Sequence, residues 1–85
     1  MPVLSVSGAE ALLKENGLKA NKARIAILQL LSAFSGPLPQ GELLNLLDYD
    51  RITVYRIIRL FESKKMVTRI KTSKQKNSFQ LTEKI

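Results

Sequence analysis

One stretch of the chain, residues 51–63, separates into two chemically unlike faces when it is wound as a helix at about 100° per residue. Its apolar members fall together on one side: Val54, Ile57, Ile58 and Phe61. The other side holds basic side chains, a phenol and one aliphatic residue: Arg51, Ile52, Tyr55, Arg56 and Arg59. The pattern predicts a helix over about 51–63, capped by Asp50, that buries its apolar side and exposes its basic side.

Beyond this helix the hydrophobic period changes to two, which is typical of strands. In the first predicted strand we expect Ile70 to point inward and Arg69 to point outward. In the second, Phe79 and Leu81 share one face. A polar segment of hairpin-loop length joins them, so the sequence predicts a two-stranded wing over about 66–82.

Two helices are predicted in the first half of the chain. Ser7, followed three residues later by a glutamate, forms a capping box for a helix over about 8–16, and Gly17 is the expected left-handed stop. Asn21 caps a second amphipathic helix over about 22–34.

A short third helix over about 39–47 is expected to begin at Pro39, whose fixed φ suits a first helical turn. Its leucines are assigned to the core: Leu43, Leu44, Leu46 and Leu47. Three helices, a tight turn, a basic helix and a basic hairpin describe a winged helix-turn-helix, mainly α with a small β-hairpin (α+β). At 85 residues the chain is expected to form a single domain over residues 1–85.

The amino-acid composition limits the kinds of catalytic and metal site that the chain can form. The sequence contains no cysteine and no histidine, which removes disulfides, thiolate nucleophiles, imidazole bases and Cys/His metal sites. The carboxylates are scattered along the chain, so we expect neither an enzyme nor a metal or cofactor site. No apolar stretch is long enough to span a membrane and no secretory signal is present, so we expect no membrane partner and a cytoplasmic protein.

Charge is concentrated in the second part of the chain. Residues 51–85 carry ten basic and two acidic side chains, whereas residues 1–50 carry four and five. A positive field of this kind attracts polyanions, although a basic surface kept for solubility is the alternative interpretation. For Lys74 and Lys76, at the tip of the wing, contact with phosphate and simple solvation are equally open.

A helix with outward arginines fits the major groove of double-stranded DNA, where guanidinium forks bind guanine and apolar groups contact the thymine methyl. Each residue also has a simpler interpretation. Arg56 could pair with Glu62 or Asp50, and Tyr55 could be a half-buried ring that caps the core. Their position beside Arg51 and Arg59 favours base contact.

Several runs in this order resemble the N-terminal DNA-binding domain of the ferric uptake regulator family. They are residues 18–24 with Ile27 and Leu28, residues 52–56 with the sequence Ile-Thr-Val-Tyr-Arg, residues 67–69, and residues 79–82. The matches span residues 9 to 83 or so. The resemblance implies a transcriptional regulator that binds double-stranded DNA.

The resemblance also implies roles for individual residues. Tyr55 and Arg56 would contact bases, and Thr53 would lie near the DNA backbone. Lys19 would enter the minor groove, and Arg24 would lie near phosphate. Together with Arg51, Ile52, Arg59, Lys74 and Lys76, these are the expected DNA-binding residues.

The chain also departs from the family. Family members continue into a dimerisation domain with metal sites, whereas this sequence ends at Ile85 without a histidine, so metal sensing by the usual ligands is not expected. The link before Thr53 is shorter than in the family, and Ile52 replaces a residue that is usually small. A homodimer is possible, formed through residues 3–6 or the C-terminal strand.

Two further classes of function stay open on the residues alone. The basic face could dock an acidic protein within a larger assembly. It could also bind RNA, but single-strand binding usually relies on several stacking aromatics, and Tyr55 is the only candidate on this face.

Overall fold

The computed structural model of the chain describes residues 4–34, 36–71 and 77–82. Its elements follow in chain order: α1 (Val6–Glu15), α2 (Lys22–Ala33), β1 (Leu38–Pro39), α3 (Gln40–Leu46), α4 (Arg51–Ser63), β2 (Val67–Lys71) and β3 (Asn77–Leu81). The strands form one antiparallel sheet in the order β1–β3–β2. The four helices and the β2–β3 hairpin give the winged helix-turn-helix architecture expected from the sequence. Lys74 and Lys76 lie outside the described residues.

The third strand, β1, was not predicted. Leu38 pairs with Phe79 and Pro39 with Ser78, so the segment before α3 joins the edge of the wing sheet. Two residues are too few to show an alternating pattern in sequence. Pro39 was expected to be the first residue of the third helix, but its backbone is extended (ψ 143°) and α3 begins at Gln40. An edge strand tolerates the missing amide of proline.

α1 begins earlier than predicted, and the prediction of Ser7 as its cap was wrong. Ser5 Oγ accepts a hydrogen bond from the amide of Gly8 at 2.9 Å. The reason lies one residue upstream, where two side chains of α2 hydrogen-bond the amide and the carbonyl of Leu4 at 2.9 and 3.1 Å. This tertiary anchor fixes where the chain enters the helix, and the local capping pattern could not show it.

Two other helix boundaries follow the sequence. Gly17 adopts a φ of +73° and ends α1, where a side chain would be strained. Asn21 Oδ1 accepts a hydrogen bond from the amide of Arg24 at 2.8 Å and starts α2. The expected cap and stop are both present.

A single apolar core joins the helices to the sheet: Ala9, Leu13, Ile27, Leu28, Leu31, Leu38, Leu43, Val54, Ile57, Ile58, Phe61, Met66, Val67 and Phe79 are buried. Leu44 and Leu47 pack against this core. Leu46 is 55% exposed, so its assignment to the core was wrong. It lies about 100° around the helix from the face shared by the other three leucines.

The expected burial of the wing residues is met, but the register changes the faces on which they lie. Arg69 is exposed and Ile70 is half-buried, as expected. Arg69 nevertheless pairs with Phe79, and Val67 with Leu81, so Arg69 shares a face of the sheet with the buried Val67 and Phe79. Ile70 lies on the opposite face, and Val67 supplies the buried apolar residue of this strand.

Asp50 caps α4, as expected. Its Oδ2 accepts a hydrogen bond from the amide of Thr53 at 3.2 Å, and its Oδ1 accepts one from the Thr53 hydroxyl at 2.5 Å. These bonds stabilise the carboxylate, and the side-chain bond from Thr53 is the main reason that the pKa of Asp50 is lowered.

α4 ends in a Schellman motif without glycine. The amide of Met66 donates to the Phe61 carbonyl at 2.9 Å, and the amide of Lys65 donates to the Glu62 carbonyl at 3.0 Å. Lys65 supplies the left-handed residue, with a φ of 60°. A side chain with a β-carbon is strained in this region of backbone space.

We expect Lys65→Gly to raise the free energy of unfolding by about 0.5–1 kcal/mol. Glycine removes the left-handed strain, which outweighs the entropy it adds to the unfolded chain. Lys64→Gly is the matched control, since Lys64 has the same charge and a φ of −94°, and it should lose about 0.5–1 kcal/mol. Urea denaturation of both variants measures the difference, and equal stabilities would contradict the motif.

We expect the stability of the protein to depend on the ionisation of Asp50. Its folded-state pKa is lowered, so the contribution is complete above the unfolded-state pKa and disappears as pH falls through the folded-state pKa. The melting temperature of the wild type should therefore fall more steeply on acidification than that of Asp50→Asn, whose amide caps without titrating. Asp48→Asn removes a carboxylate from the same turn and should follow the wild type. Parallel curves for wild type and Asp50→Asn would refute the effect.

Candidate nucleic-acid interface

α4 presents two unlike faces, in the orientation that the sequence predicts. Its apolar residues are buried: Val54, Ile57, Ile58 and Phe61. Its exposed residues are the three arginines, the isoleucine and the last residue of the helix: Arg51, Ile52, Arg56, Arg59 and Ser63. Ile52, at 61% exposed, is the most exposed of the large hydrophobic side chains in the described part of the chain. Hydrophobic burial on one side thus places cations and one apolar group in solvent on the other.

The exposed arginines of α4 have no ion-pair partner among the described residues. Glu62 pairs with Arg69, and Asp50 is bonded to Thr53. The alternative partners considered for Arg56 are therefore both engaged elsewhere. Within residues 4–34, 36–71 and 77–82, no hydrogen bond or ion pair is made by the side chains of Arg51, Arg56 or Arg59.

Tyr55 is half-buried, as in the alternative expectation of a half-buried ring, and is less exposed than the arginines of the same helix. Gln40 Nε2, at the start of α3, donates a hydrogen bond to the Tyr55 hydroxyl. Tyr55 lies at the border of the two faces, about 100° from Val54, and Gln40 holds the ring there. No local pattern points to Gln40, because its contact with Tyr55 joins two helices.

Two other predicted site residues, Thr53 and Arg24, form hydrogen bonds with residues three and five positions earlier in the chain. The Thr53 hydroxyl is bonded to Asp50. Arg24 Nη1 donates to the Lys19 carbonyl at 2.7 Å, and its Nε is buried without a partner among the described residues. Lys19 itself is exposed. Lys19, just before α2, and Arg24, in its first turn, form a second basic group, and no described hydrogen bond or ion pair connects it to α4.

An ion pair between α4 and the wing was not predicted. Arg69 Nε and Nη2 donate to the two carboxylate oxygens of Glu62 at 3.1 and 2.8 Å. The guanidinium carbon also lies 5.7 Å from the centroid of the Phe79 ring. The bidentate pair joins strand β2 to the end of α4, and the cation–π contact joins β2 to β3. The Val67–Arg69 alternation could have placed Arg69 on this face, but its partner Glu62 could not be identified from the sequence.

A notch of about 240 Å³ lies between α4 and the wing. Five of its seven lining residues carry hydrogen-bonding side chains; the lining residues are Gln40, Tyr55, Ile58, Arg59, Arg69, Asn77 and Phe79. Asn77 Oδ1 is buried with no partner among the described residues. We call this feature the helix–wing notch.

No residues suited to a metal site are grouped in the described part of the chain. Histidine and cysteine are missing from the whole sequence, and no three carboxylates come together in the described ranges. Nor do those ranges hold a helix with the length and apolar character needed to cross a bilayer.

Residues 15–85 match the model of the ferric uptake regulator family. The fold is also similar to the ferric uptake regulator of Vibrio cholerae, a protein with DNA-binding domains, with a TM-score of 0.75, 28% identity, and coverage of 87% of this chain and 61% of that one. The ferric uptake regulator of Helicobacter pylori, which has three functional metal-binding sites, shares the fold with a TM-score of 0.74, 22% identity, and coverage of 100% and 63%.

The chain therefore spans about three fifths of the length of these two solved relatives. No match was found among curated protein sequences. The residues of this chain do not fit a metal site of the usual histidine-containing kind. Members of the family are DNA-binding transcription regulators that form dimers, and they are not enzymes. The match over residues 15–85 and the shared winged-helix fold show that this chain belongs to the ferric uptake regulator family.

Proposed function

We propose that this chain binds double-stranded DNA with sequence preference and forms the DNA-binding part of a transcriptional regulator. The observation that carries the proposal is the solvent face of α4, where three arginines are exposed and have no ion-pair partner in the described ranges. Free guanidinium groups on the exposed face of a helix suit the major groove, which is wide enough for one helix and presents guanine acceptors.

The proposal assigns chemistry to each residue of this face. Arg56 forms a bidentate fork to a guanine edge. Ile52 and the ring of Tyr55 contact thymine methyl groups. Arg51 and Arg59, at the two ends of the exposed face, contact bases or the neighbouring phosphates, and Thr53 lies near the DNA backbone.

The remaining contacts position the protein on the duplex. Lys19 enters the minor groove and Arg24 lies near phosphate, in keeping with the family. Lys74 and Lys76 of the wing contact phosphate. Two copies of the chain would bind two half-sites, because one helix contacts only a few base pairs.

Selection from a random duplex pool, followed by a salt titration on the winning sequence, tests the proposal. We expect Arg56→Ala to weaken binding to that sequence by about 1–3 kcal/mol and to relax the base preference at one position. Lys14→Ala removes one exposed charge from α1 and is the matched control, with expected affinity close to wild type. Fluorescence anisotropy measures both.

Three outcomes would contradict the proposal. If Arg56→Ala bound the selected duplex as tightly as the wild type, the assignment of Arg56 to a base contact would be rejected. Failure of the wild type to bind any duplex at low salt, together with a stable complex with an acidic protein, would favour a protein-docking role for the basic face. Tighter binding to single-stranded RNA than to duplex DNA would favour an RNA partner.

A further inference from the structure

One hydrogen bond connects the proposed DNA-binding residues of α4 to another helix. Gln40 Nε2, in the first residue of α3, donates to the hydroxyl of Tyr55. The exposed arginines of α4 make no hydrogen bond or ion pair with the described residues. Among the residues of α4 proposed to contact bases, Tyr55 is thus the only one in the described ranges whose side chain is hydrogen-bonded to a second helix.

The backbone that carries Gln40 is fixed on both sides. The two preceding residues form β1, which pairs with β3. Leu43, three positions later in α3, is fully buried. Gln40 therefore reaches Tyr55 from a backbone position that both the sheet and the core hold in place.

The bond restricts the direction of the Tyr55 ring. A long side chain in a helix has two common χ1 rotamers, at about 180° and about −60°, and these direct the side chain differently. The Tyr55 hydroxyl lies at the far end of the ring, so the two rotamers place it several ångströms apart and only one of them can meet Gln40. A hydrogen bond of ordinary strength favours its own rotamer by about two- to tenfold.

The ring remains accessible to a ligand while its hydroxyl is held. Tyr55 is half-buried, so part of its surface faces solvent. A contact residue whose direction is set before binding loses less conformational freedom when the ligand arrives. Ile52, three residues earlier, is 61% exposed and has no polar atom for such a bond, which makes it an internal comparison on the same helix.

We infer that Gln40 is a positioning residue for base recognition by Tyr55. The inference rests on the proposed function, in which the Tyr55 ring contacts a thymine methyl group. Gln40 contacts no base in this role. It selects the rotamer in which the ring meets the methyl group, so the preference for thymine at that position depends on a residue of α3 as well as on α4.

The positioning is tested first in the free protein, without DNA. Three-bond couplings between the backbone and the ring carbon Cγ of Tyr55 report its χ1 rotamers by NMR. We expect one dominant rotamer in the wild type and a change of about two- to tenfold in the rotamer ratio of Gln40→Ala. Gln29→Ala is the matched control, since Gln29 is also half-buried and donates to the Leu4 carbonyl at 3.1 Å, and it should keep the wild-type ratio. Equal ratios in the wild type and Gln40→Ala would overturn the inference.

Recognition is tested by replacing one thymine at a time with deoxyuridine in the selected duplex, which removes only the C5 methyl group. Loss of a contacted methyl group should weaken binding of the wild type about fourfold. The position that loses this effect in Tyr55→Ala is the one that Tyr55 contacts. At that position Gln40→Ala should reduce the effect to less than about twofold, whereas the effect at the thymine contacted by Ile52 should persist.

A double-mutant cycle separates positioning from loss of stability. Tyr55→Phe keeps the ring and removes only the hydroxyl, so it should reduce the thymine preference as Gln40→Ala does. The double variant should have the same preference as either single variant, because both remove one interaction. Gln29→Ala should keep the wild-type preference at every thymine. A uniform loss of affinity in Gln40→Ala with unchanged thymine preferences would overturn the inference and leave Gln40 a structural role.

Failure of the proposed function has a different result. If the wild type binds no duplex at low salt, the proposed function is contradicted, and the role of Gln40 in recognition is rejected with it even where the couplings show an ordered ring. If the wild type binds the selected duplex but no thymine depends on Tyr55, the proposed function stands and the inference is overturned.

Discussion

Four apolar side chains of α4, Val54, Ile57, Ile58 and Phe61, leave water together, and the rest of the molecule is arranged around this burial. Burial of each such side chain contributes on the order of 1.5–3 kcal/mol, so rotation of the helix about its axis is strongly disfavoured. Burial of the apolar face therefore also sets the direction of the arginines, and they need no contacts of their own to keep it. A helix held by one face has its other face available for a ligand.

The acidic groups around α4 explain why its exposed face stays cationic. Asp50 is directed to the helix start by Thr53, and Glu62 is bonded to Arg69 on the wing. Each of these two carboxylates is hydrogen-bonded to a partner other than Arg51, Arg56 or Arg59. The positive potential of the interface is thus a result of where the negative groups are fixed as well as of the number of positive ones.

Much of the fold could be predicted from the sequence because its signals are local. The amphipathic pattern of α4 and the caps at Asn21 and Asp50 involve residues within a few positions of each other. The errors share the opposite property. Ser5 replaces Ser7 as a cap because α2 anchors Leu4, and β1 exists only because β3 lies beside it.

The candidate site likewise has some features that local sequence patterns predict and others that depend on tertiary contacts. The solvent-facing arginines follow from the helical period, so they could be identified in advance. The contacts of Gln40 with Tyr55 and of Glu62 with Arg69 join different elements. They depend on tertiary packing that no local pattern encodes. The helix–wing notch, which these contacts border, was therefore absent from the sequence-based expectations.

The pairing of β1 with β3 has a mechanical consequence. It ties the backbone just before the helix-turn-helix to the hairpin, while Arg69 and Glu62 tie the hairpin to the end of the same motif. These two connections restrict the relative movement of the helices and the hairpin. If the chain binds a duplex as proposed, more of the change in shape on binding must come from the DNA. Flexible base steps would then be favoured even at positions that no side chain touches.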